Sequence, residues 1–259
     1  MNINELKSLT ESLLETFLNA GQKAIELRNK GLKTTFKSDN SPVTNGDLEV
    51  DKLLKEKIIQ FTPNIPLISE ETVNLNKKNE FKDFWLVDPI DGTKDYINNK
   101  DEFTLNASLI INLEPAIGII YAPAKKRLFY SYGNGCSFEK FEQRKIQLEC
   151  KKKIKLEEVQ AVSNSSKPSS EVLKAHNKFN VKSFVNIRSS YKLCVIASGE
   201  FDLYAAKARA YEWDIAAGHA IVKHAGGIVT TLDEKEFKYG KDDYKNLSLL
   251  VRRSKDLKK

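Results

Sequence analysis

Residues 84–93 read Phe-Trp-Leu-Val-Asp-Pro-Ile-Asp-Gly-Thr, an apolar run that leads directly into two carboxylates and a glycine. The apolar part predicts a buried strand, and Asp88-Pro89 predicts that this strand ends in a turn. Carboxylate oxygens in such a turn select magnesium, manganese or calcium over zinc. The amides of Gly92 and Thr93 could face a phosphate if a helix begins there. Because Asp, Gly and Pro are also common turn formers, the motif alone leaves a cation site and a plain turn open.

Length and composition indicate a globular chain. The 259 residues, 41% of them apolar, can fill a core, and we expect one catalytic unit with lobes at 1–150 and 151–259. Three cysteines are too few and too scattered for a disulfide framework. The first residues do not have the layout of a signal peptide, and no apolar run approaches the roughly 20 residues that a membrane span requires. We therefore expect a cytoplasmic protein.

The net charge of +7 favours anionic partners such as nucleic acids, acidic lipid surfaces or phosphorylated metabolites. Much of this charge lies in lysine runs such as 151–153 and 258–259, for which solvated surface is the ordinary interpretation. Basic stretches interleaved with aromatic residues are absent from the sequence, so we expect no stable nucleic-acid complex. A basic, non-catalytic polyanion-binding protein remains a distant alternative, and peripheral contact with the inner membrane face stays open.

Apolar periodicity predicts a helix from Leu6 to Leu27 that Gly31 ends. A second helix is predicted to begin at Thr44, where Thr44 and Asp47 have the spacing of a capping box. Further strands are predicted at 65–69, 103–111 and 116–121, a hairpin around 127–135, and then strands at 159–163, 181–187, 202–205 and 228–231 that alternate with helices at 170–179, 191–199 and 215–225. Such alternation favours layered α and β structure.

Four carboxylates lie at the ends of predicted elements, at Glu70, Asp88, Asp91 and Asp214. Ordinary explanations exist, because Glu70 could be a solvated loop acid and Asp214 a helix N-cap, and Asp47 is accounted for by the capping box. Brought together, the acids would repel one another by about 4 kcal/mol for two unit charges ~4 Å apart at an effective dielectric of about 20. Divalent cations would remove that cost.

Such a cluster suits phosphoryl chemistry. Several acids together with the Ile90 carbonyl could hold two or more magnesium ions. The hydroxyl of Thr93 could pass the proton of an attacking water toward Asp47, or fix that water in line. A water bound to such ions would have a lowered pKa and could attack phosphorus at neutral pH.

Four segments in this order resemble the inositol monophosphatase superfamily, the lithium-sensitive, magnesium-dependent phosphatases that include the 3'(2'),5'-bisphosphate nucleotidases. They are residues 39–44 with Asp47, residues 69–71, residues 85–93 and residues 213–218. The resemblance implies a layered α/β/α/β/α sandwich of two lobes, with the metal site in the cleft between them, and often a homodimer. It also implies a cofactor of two or more Mg²⁺ ions.

The same resemblance implies roles for individual residues. The implied metal ligands are Glu70, Asp88, the Ile90 carbonyl, Asp91 and Asp214. The implied catalytic residues are Asp47, Glu70 and Thr93. The implied substrate contacts are Glu70, Ile90, Asp91, Gly92, Thr93, Ser189, Lys192 and Asp214.

Residues 94–97, 102–106, 121–123 and 213–220 look more like the bacterial CysQ-type nucleotidases than like inositol phosphatases. That branch implies removal of the 3'-phosphate from adenosine 3',5'-bisphosphate and its sulfated precursor. An inositol or sugar monophosphatase of the same superfamily is the alternative.

The nucleotide end of the site is less completely matched. Ser189 and Lys192 match a Ser-x-x-Lys that contacts nucleotide in the CysQ-type branch, although Lys192 could instead face solvent. Two positions depart from the branch, with Ser166 where a histidine is expected and Ala206 where an arginine is expected. Lys207 or Arg209 could supply the missing charge.

Overall fold

The computed structural model describes residues 1–37, 40–75, 78–150 and 158–257. The helices are α1 (Ile3–Lys30), α2 (Asn45–Phe61), α3 (Thr93–Ile97), α4 (Ser170–Lys178), α5 (Tyr191–Ala197) and α6 (Glu212–His224), with a short 3-10 helix at Pro123–Lys125. The strands are β1 (Thr34–Phe36), β2 (Pro42–Thr44), β3 (Leu67–Ser69), β4 (Phe84–Asp91), β5 (Thr104–Ile111), β6 (Glu114–Ala122), β7 (Arg127–Ser131), β8 (Ser137–Phe141), β9 (Arg144–Gln147), β10 (Gln160–Ser163), β11 (Ser183–Asn186), β12 (Leu203–Ala206), β13 (Ile228–Thr230) and β14 (Leu249–Arg252).

Two sheets organise these elements. The larger has the order β3-β4-β5-β6-β7-β8-β9 and is antiparallel except for the parallel pair β3-β4. The smaller has the order β11-β10-β12-β14-β13, with β10 parallel to both of its neighbours. Strands β1 and β2 form a separate antiparallel ribbon that leads into α2.

Three apolar cores lie between the layers of the fold, and one of them fills two of the four interfaces. One core joins α1 and α2 to one face of the larger sheet, and a second joins its other face to α5, α6 and the smaller sheet. A third core places α4 on the outer face of the smaller sheet. The order of layers is therefore α/β/α/β/α, which confirms the predicted sandwich.

Strand β4 shows why its sequence is apolar on both faces. Trp85 and Val87 lie in the core shared with α1 and α2, whereas Phe84 and Leu86 lie in the core shared with α5 and α6. Successive side chains of a strand point to opposite faces, so a strand covered on both sides needs a continuous apolar run. The strand does not end at Asp88, as the sequence predicted, but continues to Asp91.

The continuation of β4 past Pro89 depends on an irregular register. Asp88 pairs with Asn106 and Asp91 with Thr104, and the register against β5 shifts between these pairs. Proline cannot donate a ladder hydrogen bond, so an irregularity of the bulge type accommodates it inside a strand. The two carboxylates consequently stay on an ordered strand end rather than in a free turn.

Helix α6 lies in the middle layer, close against the larger sheet. A Cβ built on Gly118 of β6 would lie 2.3 Å from the Ala217 carbonyl oxygen, so this close approach requires glycine. This contact holds the middle of α6 against β6 of the larger sheet.

The predicted division into lobes falls at residues 151–157, which lie outside the described residues, and it stays a prediction. Residues on both sides of that point share the core that contains α5 and α6. Among the described residues, no helix is both long and apolar enough to cross a membrane.

Candidate active site

Acidic side chains from three separate elements meet beside the middle layer. Glu70 follows β3 and Asp88 lies in β4, and because these strands are parallel neighbours their carboxyl ends are adjacent. The Glu70 amide donates to the Val87 carbonyl (3.1 Å) at this junction. Asp214 comes from the first turn of α6. One carboxylate oxygen from each of the three acids lies within 4.8 Å of the other two, so the fold brings these predicted site residues together.

Asp88 is buried without a hydrogen-bonding partner. The residue is 1% exposed, and neither carboxylate oxygen has a hydrogen-bond partner in the described part of the chain. Burial, followed by the charges of Glu70 and Asp91, raises the pKa of Asp88 well above its usual value. Leaving both oxygens of a buried carboxylate unpaired is costly. A divalent cation would offset that cost, and the all-oxygen donor set fits Mg²⁺.

Asp214 is the third residue of α6 and Tyr211 is the N-cap, so the alternative that Asp214 is the N-cap is wrong. Its Oδ2 accepts a hydrogen bond from the Tyr211 amide at 2.8 Å and thus satisfies one of the free amides of the first turn. Burial, then the charges of Asp91 and Glu70, raises the pKa of Asp214 well above its usual value. Asp91 is therefore electrostatically part of the same acidic group.

Asp47 and Thr93 form a hydrogen-bonded pair. Thr93 Oγ1 lies 3.1 Å from Asp47 Oδ1 and 3.0 Å from the Ile90 carbonyl oxygen. The second carboxylate oxygen of Asp47 accepts from the Thr44 amide (2.8 Å), and the Asp47 amide donates to Thr44 Oγ1 (3.3 Å), which together form the capping box. The Thr44 hydroxyl also donates to that oxygen (2.5 Å). Burial raises the pKa of Asp47, although the hydrogen bonds from Thr44 and Thr93 oppose the rise. One oxygen of Asp47 thus serves the predicted capping box, and the other is available for the predicted proton transfer from Thr93.

A helix begins directly after the acidic strand end, as the predicted phosphate contact requires. Helix α3 starts at Thr93, and Gly92 before it has a left-handed φ of 93°. A Cβ at Gly92 would lie 2.7 Å from the Glu102 carbonyl oxygen. The turn therefore accepts only glycine without strain.

Lys192 is buried, so the alternative that it faces solvent is wrong. Its ammonium donates to the carbonyls of Ser189 (2.8 Å) and Arg188 (3.3 Å) and lies 5.5 Å from the centre of the Tyr204 ring. Its charge opposes the burial-driven rise in the pKa of Asp214. Because an ammonium group has three hydrogens, one remains for a ligand.

The two positions that depart from the nucleotidase pattern provide no charge. Ser166 is exposed and Ala206 is half-buried at the end of β12. Burial raises the pKa of Tyr204, and the charge of Arg209 opposes that rise. The positive charge of Arg209 thus acts on the ring beside which Lys192 lies. Asp39, which belongs to one of the four family-like segments, lies outside the described residues.

Lys37 is a site residue that the sequence analysis missed. Its ammonium lies 3.1 Å from a Glu70 oxygen and 3.0 Å from the Glu71 carboxylate. Burial raises the pKa of Glu71 to about 7 even though Lys37 opposes the rise. Lys37 follows β1 in a polar segment that carries no recognisable motif, so only the fold relates it to the acids after β3.

Comparison with known proteins identifies the family of this chain. The model of the inositol monophosphatase family matches residues 5–258. The 3'(2'),5'-bisphosphate nucleotidase CysQ of Buchnera aphidicola is 34% identical over 235 residues, which cover 88% of this chain and 86% of that protein. The Salmonella typhimurium protein of the same name is 30% identical, with coverage of 89% and 94%. The crystal structure of CysQ from Bacteroides thetaiotaomicron superimposes with a TM-score of 0.77 at 28% identity, covering 95% of this chain and 97% of that one. The chain therefore belongs to the inositol monophosphatase family.

Proposed function

We propose that the protein is a magnesium-dependent phosphatase that removes the 3'-phosphate of adenosine 3',5'-bisphosphate, and that it also accepts the sulfated precursor of this nucleotide. The observation that carries the proposal is the buried Asp88 carboxylate, unpartnered among the described residues and grouped with Glu70 and Asp214. The names of the relatives at 34% and 30% identity support the choice of a nucleotide bisphosphate as substrate.

The residues that would hold the cofactor are those predicted from the sequence, namely Glu70, Asp88, the Ile90 carbonyl, Asp91 and Asp214. Their grouped negative charge and oxygen-only chemistry suit two or more Mg²⁺ ions. When bound, the ions would neutralise charge on the phosphate and make water nucleophilic at neutral pH.

Asp47 and Thr93 would orient the attacking water and accept its proton. The Thr93 hydroxyl has one hydrogen, and the nearby Asp47 Oδ1 at 3.1 Å can accept it. The Thr93 oxygen can then accept a hydrogen from water. A carboxylate with a raised pKa is a stronger base than an ordinary one, and burial raises the pKa of Asp47. The pair is therefore suited to general-base catalysis, with Thr93 as the relay.

The second phosphate would bind at the buried ammonium of Lys192, with Ser189 beside it. Two of the Lys192 hydrogens are directed to backbone carbonyls, so the side chain is fixed in place and a third hydrogen remains for a phosphate oxygen. Charge-assisted hydrogen bonds of this kind are roughly twice as strong as neutral ones. A substrate with one phosphate would not use them.

A substrate panel tests the assignment. Phosphate release is measured with Mg²⁺ and with a chelator, for adenosine 3',5'-bisphosphate, its 5'-phosphosulfate form, inositol 1-phosphate and adenosine 3'-monophosphate at equal concentrations. We expect the bisphosphate to be hydrolysed fastest and the chelator to stop the reaction. A clear preference for inositol 1-phosphate would replace the proposal by an inositol monophosphatase.

Replacing Lys192 by methionine is expected to raise KM for adenosine 3',5'-bisphosphate by about 10-fold to 100-fold, because the charged hydrogen bond to the second phosphate is lost. Hydrolysis of adenosine 3'-monophosphate should change by less than about threefold, since that substrate has no second phosphate. Steady-state kinetics of the two esters measures both effects. Lys223→Met, at an ammonium that pairs with Glu114 at 2.6 Å on the surface, is the matched control. Equal losses on both esters would place Lys192 outside the second-phosphate site.

A further inference from the structure

Ser190 connects two of the predicted metal ligands, Asp91 and Asp214. It lies directly before α5 and is fully buried. Its amide and its hydroxyl lie 2.5 Å and 2.6 Å from the same oxygen, Oδ2 of Asp91. The Ser190 hydroxyl also lies 2.6 Å from the backbone carbonyl oxygen of Asp214. One residue thus contacts an acid at the end of β4 and the first turn of α6.

The two donors restrict the orientation of the Asp91 carboxylate. Both lie within hydrogen-bond distance of Oδ2. Rotation of the carboxylate would break the hydrogen bond from the amide and, when the hydroxyl donates to Oδ2, a second one, and hydrogen bonds to a charged acceptor are the stronger kind. No described residue donates a hydrogen bond to the other oxygen, Oδ1. The Ser190 hydroxyl has a single hydrogen and can donate it to Asp91 or to the Asp214 carbonyl, but not to both at once.

Asn106 of β5 fixes the Ser190 hydroxyl in turn. Its side-chain amide donates to Ser190 Oγ at 3.1 Å, and the residue is 1% exposed. Because Ser190 Oγ accepts this hydrogen bond, its own hydrogen is directed away from Asn106, on the side of Asp91 and Asp214. Asn106 lies opposite Asp88 in the pairing of β4 with β5. The contacts therefore run from Asn106, the neighbour of Asp88, through Ser190 to Asp91 and Asp214.

We propose that Ser190 is a positioning residue for the metal site, which holds Asp91 in a fixed orientation next to the first turn of α6. The proposal rests on the ligand role of Asp91 in the proposed function. Groups that hydrogen-bond to metal-ligating carboxylates typically contribute 10-fold to 100-fold in metal affinity or activity. Ser190 itself contacts neither substrate nor metal in this scheme.

The test is the direct binding of Mn²⁺ to the metal-free protein, measured by electron paramagnetic resonance of the free ion. Ser190→Ala should weaken Mn²⁺ binding by about 10-fold, because the hydroxyl is lost while the backbone amide remains. The matched control is Ser137→Ala, which removes another buried hydroxyl, bonded to the Ile221 carbonyl at 3.0 Å away from the acids. Its Mn²⁺ affinity should stay within about twofold of wild type, because it contacts no predicted ligand. Melting temperatures report whether both variants are folded.

Asn106→Leu provides a second measurement that does not alter Ser190. It removes the donor to the hydroxyl and should weaken Mn²⁺ binding by about threefold, the effect of one ordinary hydrogen bond. Unchanged Mn²⁺ affinity in a folded Ser190→Ala protein overturns the proposal. If Ser190→Ala does not fold, an unchanged affinity in Asn106→Leu overturns it instead.

The two proposals fail in different ways. A wild-type protein that binds Mn²⁺ but does not hydrolyse nucleotide bisphosphates contradicts the proposed substrate, and the comparison of Ser190→Ala with Ser137→Ala still decides the positioning role. A wild-type protein that binds no Mn²⁺ contradicts both.

Discussion

Asp91→Asn is expected to lower kcat/KM for phosphate release at least about 1,000-fold, which corresponds to about 4 kcal/mol of transition-state stabilisation. The substitution keeps the shape of the side chain and replaces one carboxylate oxygen by an amide nitrogen. It removes the negative charge that a divalent cation requires. The negative charge of Asp91 acts on the other acids of the site. Burial is the largest cause of the raised pKa of Asp88 and of Asp214, and the charge of Asp91 adds to the rise in both. Steady-state kinetics at saturating Mg²⁺ measures the loss.

A surface aspartate provides the matched control for Asp91→Asn. Asp242 is exposed and pairs with Lys78 at 2.9 Å, so Asp242→Asn makes the same chemical change away from the site and should leave kcat/KM unchanged. Full activity in Asp91→Asn would contradict its ligand role. The same variant distinguishes an enzyme from a polyanion-binding protein, because steeply salt-dependent binding to RNA through lysines would survive the substitution.

Local sequence signals predicted much of the framework of this site. The capping box of Thr44 and Asp47 is formed as predicted, and Gly31 follows the end of α1. Both signals involve residues within a few positions of each other, so the backbone geometry that they specify does not depend on contacts with distant segments of the chain. The predicted grouping of Glu70, Asp88 and Asp214 also holds. The parallel pairing of β3 and β4 places Glu70 beside Asp88, and the first turn of α6 brings Asp214 to them.

The remaining features depend on contacts between distant segments. Ser190 and Asp91 are separated by 99 residues, and no periodicity or motif relates them. Lys192 is buried because α5 lies between the two sheets. From the sequence alone, a lysine in an apolar helix is equally compatible with a solvent-facing side chain. Strand β14, which the sequence analysis did not predict, follows a polar segment without regular alternation. Its register against β12 and β13 is set by the sheet itself.

Asp88→Asn is expected to raise the melting temperature of the metal-free protein at pH 8 while it abolishes activity. The carboxylate is 1% exposed and both oxygens are unpaired among the described residues, so a neutral amide of the same shape is easier to bury than a charged group. A gain of about 2 kcal/mol would correspond to roughly 5 °C in a chain of this size. Differential scanning fluorimetry with a chelator measures the shift.

The pH dependence of this gain follows from the raised pKa of Asp88. Above the unfolded pKa near 4, the folded wild-type protein binds more protons at Asp88 than the unfolded chain does. Its stability therefore falls as pH rises, by up to about 1.4 kcal/mol per pH unit. Asp88→Asn lacks this contribution, so its advantage should be small at pH 5 and larger at pH 8. Asp202→Asn is the matched control with the opposite sign, because the Asp202 carboxylate pairs with Arg253 at 2.8 Å and its loss should lower stability.

Mg²⁺ should reverse the order of the two proteins. A ligand that binds only the folded state stabilises it by about 2.7 kcal/mol at 100 times its dissociation constant, and the wild-type site gains this stabilisation while Asp88→Asn does not. Wild type should therefore melt below the variant with a chelator and at or above it with saturating Mg²⁺ at pH 8. If the variant has no advantage without metal, or the same advantage at pH 5 and pH 8, then Asp88 is not an uncompensated buried charge. Asp88 would then lose no stability that metal binding could restore, and its burial would give no reason to assign it to a cation.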